Sequence, residues 1–302
     1  FEDPAARLIA MQAHLDSRSI GWVGLDMITE QCRRGELFMV AGNSGSGKSV
    51  VLANIAVNMA EDKQNALIIS LELGEDLVTK RMDGIVTEIP QKEIFESIEE
   101  VVELLDAKKE GYGSIHVKRM PSGTRAMDIR AYLMEYEIQF GYKPDVMCVD
   151  YLDLMGTDER PSDSGIFALD KQRSEELREI FVDYNAYGFT ASQLNRDAID
   201  TEHKSQAHIA GGLSKINTID VGFAITRDEE QQDNGEIHLS ALKLRNASFS
   251  HAPVVLYWDD ATLKITEKTG SNKPKQPSSQ QNKVVSGNRQ RLNKVIGNSK
   301  KP

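Results

Sequence analysis

The residue types best suited to chemistry lie in one short run, Gly42-Asn43-Ser44-Gly45-Ser46-Gly47-Lys48-Ser49. The run fits the pattern G-x-x-x-x-G-K-[S/T] at every fixed position. Glycines let backbone N–H groups wrap closely around phosphates, and the helix that follows adds its positive N-terminal end. In such a loop the lysine contacts the β and γ phosphates, and the hydroxyl after it is a ligand of Mg²⁺. The sequence therefore predicts an ATP and Mg²⁺ site formed by these eight residues and Val50.

Two carboxylates follow apolar runs at positions where such a site needs them. Asp150 ends the run DVMCVD and is expected to hold Mg²⁺ together with Ser49. Glu72 follows ALIISL and is expected to activate the attacking water. Both runs are typical of strands, and open α/β sheets bind ligands beyond the carboxyl ends of their strands. Alternatively, Asp150 is a turn residue, and Glu72 belongs with Glu75 and Asp76 at the start of a helix, where acidic residues favour the dipole.

Three further polar residues are candidates for contact with the nucleotide. Gln193 closes the apolar run GFTAS, where an amide can either sense the γ phosphate or simply end a strand. Lys243 and Arg245 have the i, i+2 spacing that places both on one face of a strand. Such cations often only protect an exposed sheet edge. They can instead reach the nucleotide of a neighbouring subunit, as an arginine finger does.

Apolar runs and amphipathic segments alternate along the chain. Strands are predicted at 37–42, 66–73, 114–120, 145–150 and 188–194, followed by three more in VGFAITR, EIHLSALKLR and PVVLYW without helices between them. Helices are predicted from Gly47, over GEDLVTKRMDGIV, over EIFESIEEVVELLDAKKEG, at 124–140 and at 166–187. Near-continuous apolar strands that alternate with helices predict a mostly parallel sheet covered on both faces. The last three strands predict an antiparallel edge.

Local signals refine two of these helices, and the segment before the sheet is less clear. Ser122 or Thr124 is expected to cap the helix at 124–140. The EIFESIEE helix should bury one face formed by Ile94, Ile98, Val101, Leu104 and Leu105. Residues 4–17 predict a short helix, whereas 18–35 lack strong periodicity and indicate an irregular entry segment.

Charge is distributed unevenly along the 302 residues. The net charge is −10, yet residues 270–302 hold six lysines, two arginines and no acid, so residues 1–269 carry −18. An acidic body restricts any nucleic-acid site to a local loop or channel. The polar tail is expected to be disordered, either without a specific role or as a tethered contact with DNA or a replication partner. Two cysteines exclude a disulfide framework and favour a reduced cytoplasmic setting, and no apolar run predicts a membrane span.

In their order and spacing, these motifs resemble the RecA-like motor domain of the DnaB-type hexameric replicative helicases. The resemblance covers roughly residues 20–258, through VGLDMITEQCRRGELFMVAGNSGSGKS, ISLELGED, VDYLDLM, SQLNR and LKLRNAS. The segments TKRMD, PSG and HIAGGLSKINTID are similar to the replicative helicases of T-even-like phages. The resemblance to the helicase motor implies a RecA-like P-loop core. It also divides the chain into three parts, which are a linker helix and entry segment (1–20), an ATPase and helicase motor (21–269) and the basic tail (270–302).

The resemblance also assigns roles to the candidate residues. It implies a ring of six subunits with ATP at each interface, where Glu72 activates water, Asp150 and Ser49 hold Mg²⁺, and Gln193 senses the γ phosphate. Arg245, supported by Lys243, would act on the neighbour's ATP. Residues of about 196–217 would line the central channel and hold single-stranded DNA.

The channel segment departs from the family pattern. Bacterial relatives carry an Arg-Glu pair where this chain has Ala210 and Gly211. The expected DNA contacts are therefore the backbone of two glycines and three nearby cations: Gly211, Gly212, Arg196, Lys204 and Lys215.

The resemblance further implies partners and a location, and two other functions compete with the helicase interpretation. Forked DNA, a primase, a helicase loader and a single-strand-binding protein are the expected partners, in the host cytoplasm if a phage encodes the chain, and away from any membrane. A RecA-type recombinase shares the same core and would form filaments. A nucleotide-gated scaffold ring would hydrolyse ATP slowly and would not respond to single-stranded DNA.

Overall fold

The computed structural model describes residues 3–5, 16–157, 166–194, 213–246 and 252–267. Within these ranges the strands are β1 (Ser17–Arg18), β2 (Cys32–Arg33), β3 (Leu37–Gly42), β4 (Ala66–Ser70), β5 (Ile115–Arg119), β6 (Val146–Asp150), β7 (Tyr187–Gln193), β8 (Val221–Thr226), β9 (Glu236–Leu244), β10 (Val254–Trp258) and β11 (Ile265–Thr266). The helices are α1 (Val23–Thr29), α2 (Lys48–Glu61), α3 (Glu75–Thr87), α4 (Ile98–Lys109), α5 (Ala126–Phe140), α6 (Ile166–Asp183), α7 (Leu213–Thr218) and α8 (Glu229–Asp233), with a 3₁₀ turn at Leu152–Leu154.

One mixed sheet organises the described residues. Its strand order is β11-β10-β9-β8-β3-β7-β6-β4-β5. The six strands from β8 to β5 are parallel, and β9, β10 and β11 continue the sheet in antiparallel fashion. The predicted fold class is confirmed: a mostly parallel sheet with antiparallel edge strands. Because β3 lies inside the sheet, the loop that follows it opens at the middle of the carboxyl edge.

The two faces of the sheet bury separate cores, as the period-2 geometry of strands requires. In β3, Phe38 and Val40 face one core, whereas Leu37, Met39 and Ala41 face the other. Helices α2 and α3 cover the first face, and helices α5 and α6 cover the second. The expected helices on both faces are therefore confirmed, and their packing fixes the direction in which each strand end points.

Several predicted boundaries were wrong, for local reasons. Strand β4 ends at Ser70, because the Ser70 hydroxyl donates to the Leu73 carbonyl (2.8 Å) and accepts from its N–H (2.9 Å) to close a turn. Helix α4 begins only at Ile98, after hydrogen-bonded turns, and Ile98 is exposed instead of buried. Helix α6 ends at Asp183, four residues before its predicted end.

Caps and connections also differ from the predictions. Arg125, not Ser122 or Thr124, is the N-cap of α5, and its N–H donates to the Asp128 carboxylate (2.9 Å). Helix α1 lies in the supposedly irregular entry segment, and helix α8 separates β8 from β9.

Some predictions concern residues that the structure does not describe. Most of the predicted helix at 4–17 and the whole tail at 270–302 lie outside the described residues. Among the helices that the structure describes, none combines the length and apolarity of a bilayer span.

Candidate active site

Strand register brings three predicted site residues to the carboxyl edge of the sheet, and a fourth lies just beyond it. Gly42 in β3 pairs with Gln193 in β7, so the start of the phosphate loop lies beside the candidate γ-phosphate sensor. Asp150 in β6 pairs with Ser70 in β4, and Glu72 lies two residues beyond Ser70. This edge is where open α/β sheets bind their ligands.

The phosphate loop is shaped by glycines that no other residue replaces easily. Gly45 and Gly47 have φ of +78° and +94°, in the left-handed region that glycine tolerates best. A Cβ on Gly47 would lie 2.1 Å from the Trp258 ring, so the indole packs directly against the loop. Arg227 in turn stacks on that ring, 4.1 Å from its centroid. Helix α2 begins at Lys48, so its free N–H groups face the loop interior.

Lys48 lies over the loop in a half-buried position. Its Nζ donates to the backbone carbonyls of Gly42 (3.0 Å) and Asn43 (2.9 Å). Burial lowers the pKa of Lys48, and the nearby carboxylates Asp150, Asp153 and Glu72 oppose that change. A phosphate group would replace the two carbonyls with a full negative charge, which suits a lysine held at this point.

Asp150 and Ser49 fit a magnesium ion. The Asp150 carboxyl group is buried, contacts the Ser49 hydroxyl, and has an Oδ1 atom with no hydrogen-bond partner in the described part of the chain. Burial raises the pKa of Asp150, and the Glu72 charge adds to that rise. A buried carboxylate oxygen without a partner is costly. Oxygen ligands of this kind are those that Mg²⁺ prefers, so a cation would relieve the cost.

A cleft of about 350 Å³ joins most of the predicted residues of this edge. The predicted residues that line it are Ser44, Gly45, Gly47, Lys48, Ser49, Val50, Glu72 and Gln193. Glu72 and Gln193 are both exposed, so their polar groups face the cleft without competing partners in the core. The structure therefore gathers the cradle, the candidate base and the candidate sensor in one place.

The two remaining candidates, Lys243 and Arg245, lie at the opposite edge of the sheet, where the parallel strands begin. Leu244 pairs with Val221, at the start of β8, and the Arg245 N–H donates to the Asp220 carbonyl. The phosphate loop lies beyond the other end of β3, which at about 3.3 Å per residue is about 20 Å away. The structure does not bring these two cations to the cradle of their own chain.

A single buried carboxylate, Asp220, organises this opposite edge. It accepts hydrogen bonds from Arg178 Nε (2.9 Å), from Arg245 and from the Leu37 backbone N–H (3.0 Å). Lys243 Nζ donates to the carbonyls of Ile216 (2.5 Å) and Asn217 (3.0 Å). Burial lowers the pKa of Lys243, and the Arg245 charge lowers it further. Arg178 and Arg245 thus pair with one carboxylate, and Lys243 lies close enough for the Asp220 charge to act on its pKa.

Comparison with known proteins identifies the family of this arrangement. The model of the DnaB-like helicase C-terminal domain matches residues 19–258. The chain belongs to that family.

Individual relatives agree with this assignment. A DnaB-like replicative helicase of Enterobacteria phage T4 is 26% identical over 203 residues, which are 65% of this chain and 43% of that protein. The chain thus matches less than half the length of this curated relative.

Two solved structures share the fold. One is a DnaB-like replicative helicase studied with its interactions with primase, with a TM-score of 0.75 and 15% identity, covering 88% of this chain and 68% of that one. The other is a separately solved ATPase domain, with a TM-score of 0.74 and 16% identity, covering 87% of this chain and 96% of that one. At these identities the likeness concerns the RecA-like fold.

The predicted DNA contacts of this DnaB-like domain have different outcomes. Arg196, Lys204, Gly211 and Gly212 lie outside the described residues. Lys215 was predicted as a DNA contact, but its side chain is fully buried in the structure. It contacts Asp153 and lies 3.5 Å from Asp170, and it has no exposed atom to offer a phosphate.

The DnaB-like site also contains residues that the sequence did not reveal. Arg81, Leu73, Tyr151, Trp258 and Leu263 line the cleft together with the phosphate loop. Tyr151 directly follows Asp150, so proximity in the chain was a usable signal. Trp258 comes from an antiparallel strand more than 200 residues after the loop, and no local pattern links the two.

Proposed function

We propose that this chain is the motor of a replicative DNA helicase, which hydrolyses ATP between subunits of a ring and moves along single-stranded DNA. Membership of the DnaB-like family supports an ATP-hydrolysing replicative role. The observation that carries the proposal is the separation of two half-sites on opposite edges of one sheet. A nucleotide cradle on one edge and a cation cluster on the other are complementary only between two chains.

Within one chain, the carboxyl edge binds the nucleotide and prepares the water. The N–H groups of residues 42–49 surround the phosphates, and Lys48 leaves its two carbonyls to contact the β and γ phosphates. Mg²⁺, held by Ser49 and Asp150, would neutralise charge on the phosphate oxygens. Glu72 orients the attacking water and accepts its proton. Gln193 donates a hydrogen bond to the γ phosphate and loses it after hydrolysis.

Between chains, the opposite edge completes the site. Arg245 contacts the γ phosphate bound by the neighbouring chain, and Lys243 supports it. Charge supplied in trans in this way is worth about 10³–10⁵ in rate for nucleotide hydrolases with an arginine finger. Asp220 holds Arg245 ready at the surface before the neighbour arrives, which reduces the conformational entropy lost in the contact.

DNA and partner proteins belong to the same proposal. The segment 196–217 contains the DNA contacts Arg196, Lys204, Gly211 and Gly212, and Lys215 is withdrawn from that set. The ring has six subunits and excludes one strand of a fork. A primase partner is supported by the structural relative studied with primase. A helicase loader and a single-strand-binding protein complete the proposed partners.

The ATPase rate with and without single-stranded DNA tests this function. We expect strong stimulation by a single-stranded oligonucleotide, together with ATP-dependent unwinding of a forked duplex. A slow rate that DNA does not change would favour a scaffold ring and contradict the proposal. Filaments that pair homologous strands without unwinding a fork would favour a recombinase instead.

A further inference from the structure

A fully buried lysine, Lys215, connects its own helix to three other elements of the fold. Its Nζ contacts the Asp153 carboxylate, and it lies 3.5 Å from Asp170 Oδ2 and 3.4 Å from Ser192 Oγ. Asp153 is in the 3₁₀ turn, Asp170 is in α6, Ser192 is in β7, and Lys215 itself is in α7. One ammonium group therefore ties four segments together.

This cluster contacts the nucleotide edge directly. The same Asp153 accepts a hydrogen bond through Oδ2 from the Gln193 backbone N–H (3.2 Å). Its charge also acts on Lys48, where it opposes the fall in pKa caused by burial. The position of Gln193 and the field at Lys48 are therefore linked to the carboxylate that Lys215 holds.

The same short helix contacts the opposite edge. Carbonyls of Ile216 and Asn217, the two residues after Lys215, accept hydrogen bonds from Lys243, and the Asn217 carbonyl lies 3.3 Å from an Arg245 nitrogen. Asp220, two residues beyond the end of α7, is paired with Arg245. Helix α7 thus lies between the two edges and touches functional groups of both.

We propose that Lys215 is a positioning residue that couples the nucleotide state of one subunit to the cations which that subunit offers to its neighbour. This inference rests on the proposed function. When Gln193 shifts on loss of the γ phosphate, Asp153 shifts with its N–H. A buried charge follows its partner because leaving it unpaired is expensive. Lys215 then moves α7, and the carbonyls that hold Lys243 and Arg245 move with the helix.

Folding alone does not explain a lysine at this position. Buried ion pairs are weak evidence for stability, because well-packed apolar side chains often serve as well or better. Coupling between distant sites is carried by salt-bridge and hydrogen-bond networks that join rigid secondary-structure elements. The Lys215 cluster has this character, since each of its contacts reaches a different element.

Rings of mixed composition test the coupling. Lys48→Ala subunits are added in increasing fractions to wild-type subunits, and the ATPase rate with single-stranded DNA is recorded against the fraction. Independent sites lose activity in proportion to that fraction, whereas coupled sites lose it more steeply. When neither kind of subunit carries a further substitution, we expect the rate to fall steeply with the Lys48→Ala fraction. When both kinds also carry Lys215→Met, we expect the rate to fall in proportion to that fraction. For rings made only of Lys215→Met subunits, we also expect kcat to be about tenfold below that of the wild type, a factor within the usual range of coupling between sites. The dissociation constant of an ATP analogue should stay within about twofold of the wild-type value.

Two further variants keep the test decisive. Asp153→Asn retains an oxygen that accepts the Gln193 N–H and removes the negative charge that faces Lys215. Because Lys215 stays paired with Asp170, this variant should fold even if Lys215→Met does not. We expect it to give the same proportional curve. Lys108→Met is the matched control, because Lys108 also donates to a backbone carbonyl, that of Val86, and lies over the Tyr112 ring, and neither contact involves a residue of the candidate site.

The outcomes separate the two proposals. A steep curve in Lys215→Met and Asp153→Asn, or a proportional curve in the wild type, would overturn the coupling while the helicase function stands. A wild-type ATPase that ignores single-stranded DNA would overturn both.

Discussion

The two edges of the central sheet differ in how complete they are. The carboxyl edge holds a closed loop, a lysine already bonded within it, a buried carboxylate beside Ser49 and an exposed glutamate. The opposite edge holds the buried Asp220 with its partly exposed partners Arg178 and Arg245. Lys243 lies beside them and donates to two backbone carbonyls. In the proposed function, the first edge encloses the nucleotide, and the second contacts the nucleotide that a neighbouring chain binds.

In the proposed function, this difference makes one chain half of a catalytic unit. We expect the cradle to bind nucleotide without a neighbour, because its proposed phosphate contacts all belong to one chain. Transition-state charge at the γ phosphate needs a further cation. Arg81 lines the cleft of the same chain. Lys243 and Arg245, the candidate finger residues, lie about 20 Å away across the sheet, given about 3.3 Å per strand residue.

Removing the finger should have the largest effect. We expect Arg245→Ala to reduce DNA-stimulated kcat by about 10⁴-fold, because arginine fingers contribute about 10³–10⁵. ATP-analogue binding to the carboxyl edge should remain within a few-fold. Arg130→Ala is the control, since Arg130 is a similarly exposed arginine paired with an aspartate, Asp183. A loss of nucleotide binding equal to the loss of kcat would mean that Arg245 binds the nucleotide of its own chain, and it would contradict the proposed division of roles between the two edges.

Glu72→Gln should have the next largest effect. Because the amide cannot accept the proton of water, we expect kcat to fall by about 10³-fold, within the usual range for a general base. ATP should still bind, so single-turnover assays would show a stable ATP complex. Glu75→Gln is the matched control, because Glu75 is exposed nearby and accepts only the Arg119 N–H among its described contacts. Equal losses in both variants would remove Glu72 from the role of base.

The loop glycines test whether the carboxyl edge is prebuilt. Gly47→Ala should destabilise the domain by about 3 kcal/mol, from a left-handed φ and an overpacked contact with Trp258. Gly45→Ala shares the positive φ but has no atom within 4 Å of the new Cβ, so we expect only about 1 kcal/mol. Denaturant melts of both variants measure the difference. Equal destabilisation would mean that Trp258 does not shape the loop.

The pH dependence should give the smallest effect and separates the two lysines. Lys243 has a lowered pKa because of burial and the Arg245 charge, so it loses its cation at a lower pH than an ordinary lysine. As pH rises, kcat/KM should therefore fall early, and Lys243→Arg should move that fall to higher pH. Lys109→Arg serves as the surface control. An unchanged profile would assign the fall to Lys48, whose pKa burial also lowers.

Much of this site could be predicted because its signals are local. The order of residues 42–49 defines the loop, and the apolar run before Asp150 places that carboxylate at a strand end. The strand register, which the sequence did not predict, then brings Gln193 beside Gly42. Glu72 was expected at the end of a strand, yet Ser70 closes a turn first. The residue still reaches the cleft, because the turn directs it outward.

Other features depend on long-range packing that no local pattern contains. Lys215 has the sequence context of an exposed cation, and only Asp153 and Asp170, which are far apart in the chain from it, explain its burial. The role of Asp220 could not be predicted either, because its partners Arg178 and Arg245 come from different elements.

Subunit mixing tests the central claim most directly. Lys48→Ala chains lack a working cradle but keep the finger, and Arg245→Ala chains have the reverse defect. If each ATP is hydrolysed between two chains, a mixture of the two inactive proteins should recover DNA-stimulated ATPase at interfaces that pair an intact cradle with an intact Arg245. Mixed rings, verified by a labelled subunit, that remain as inactive as either parent would contradict the account.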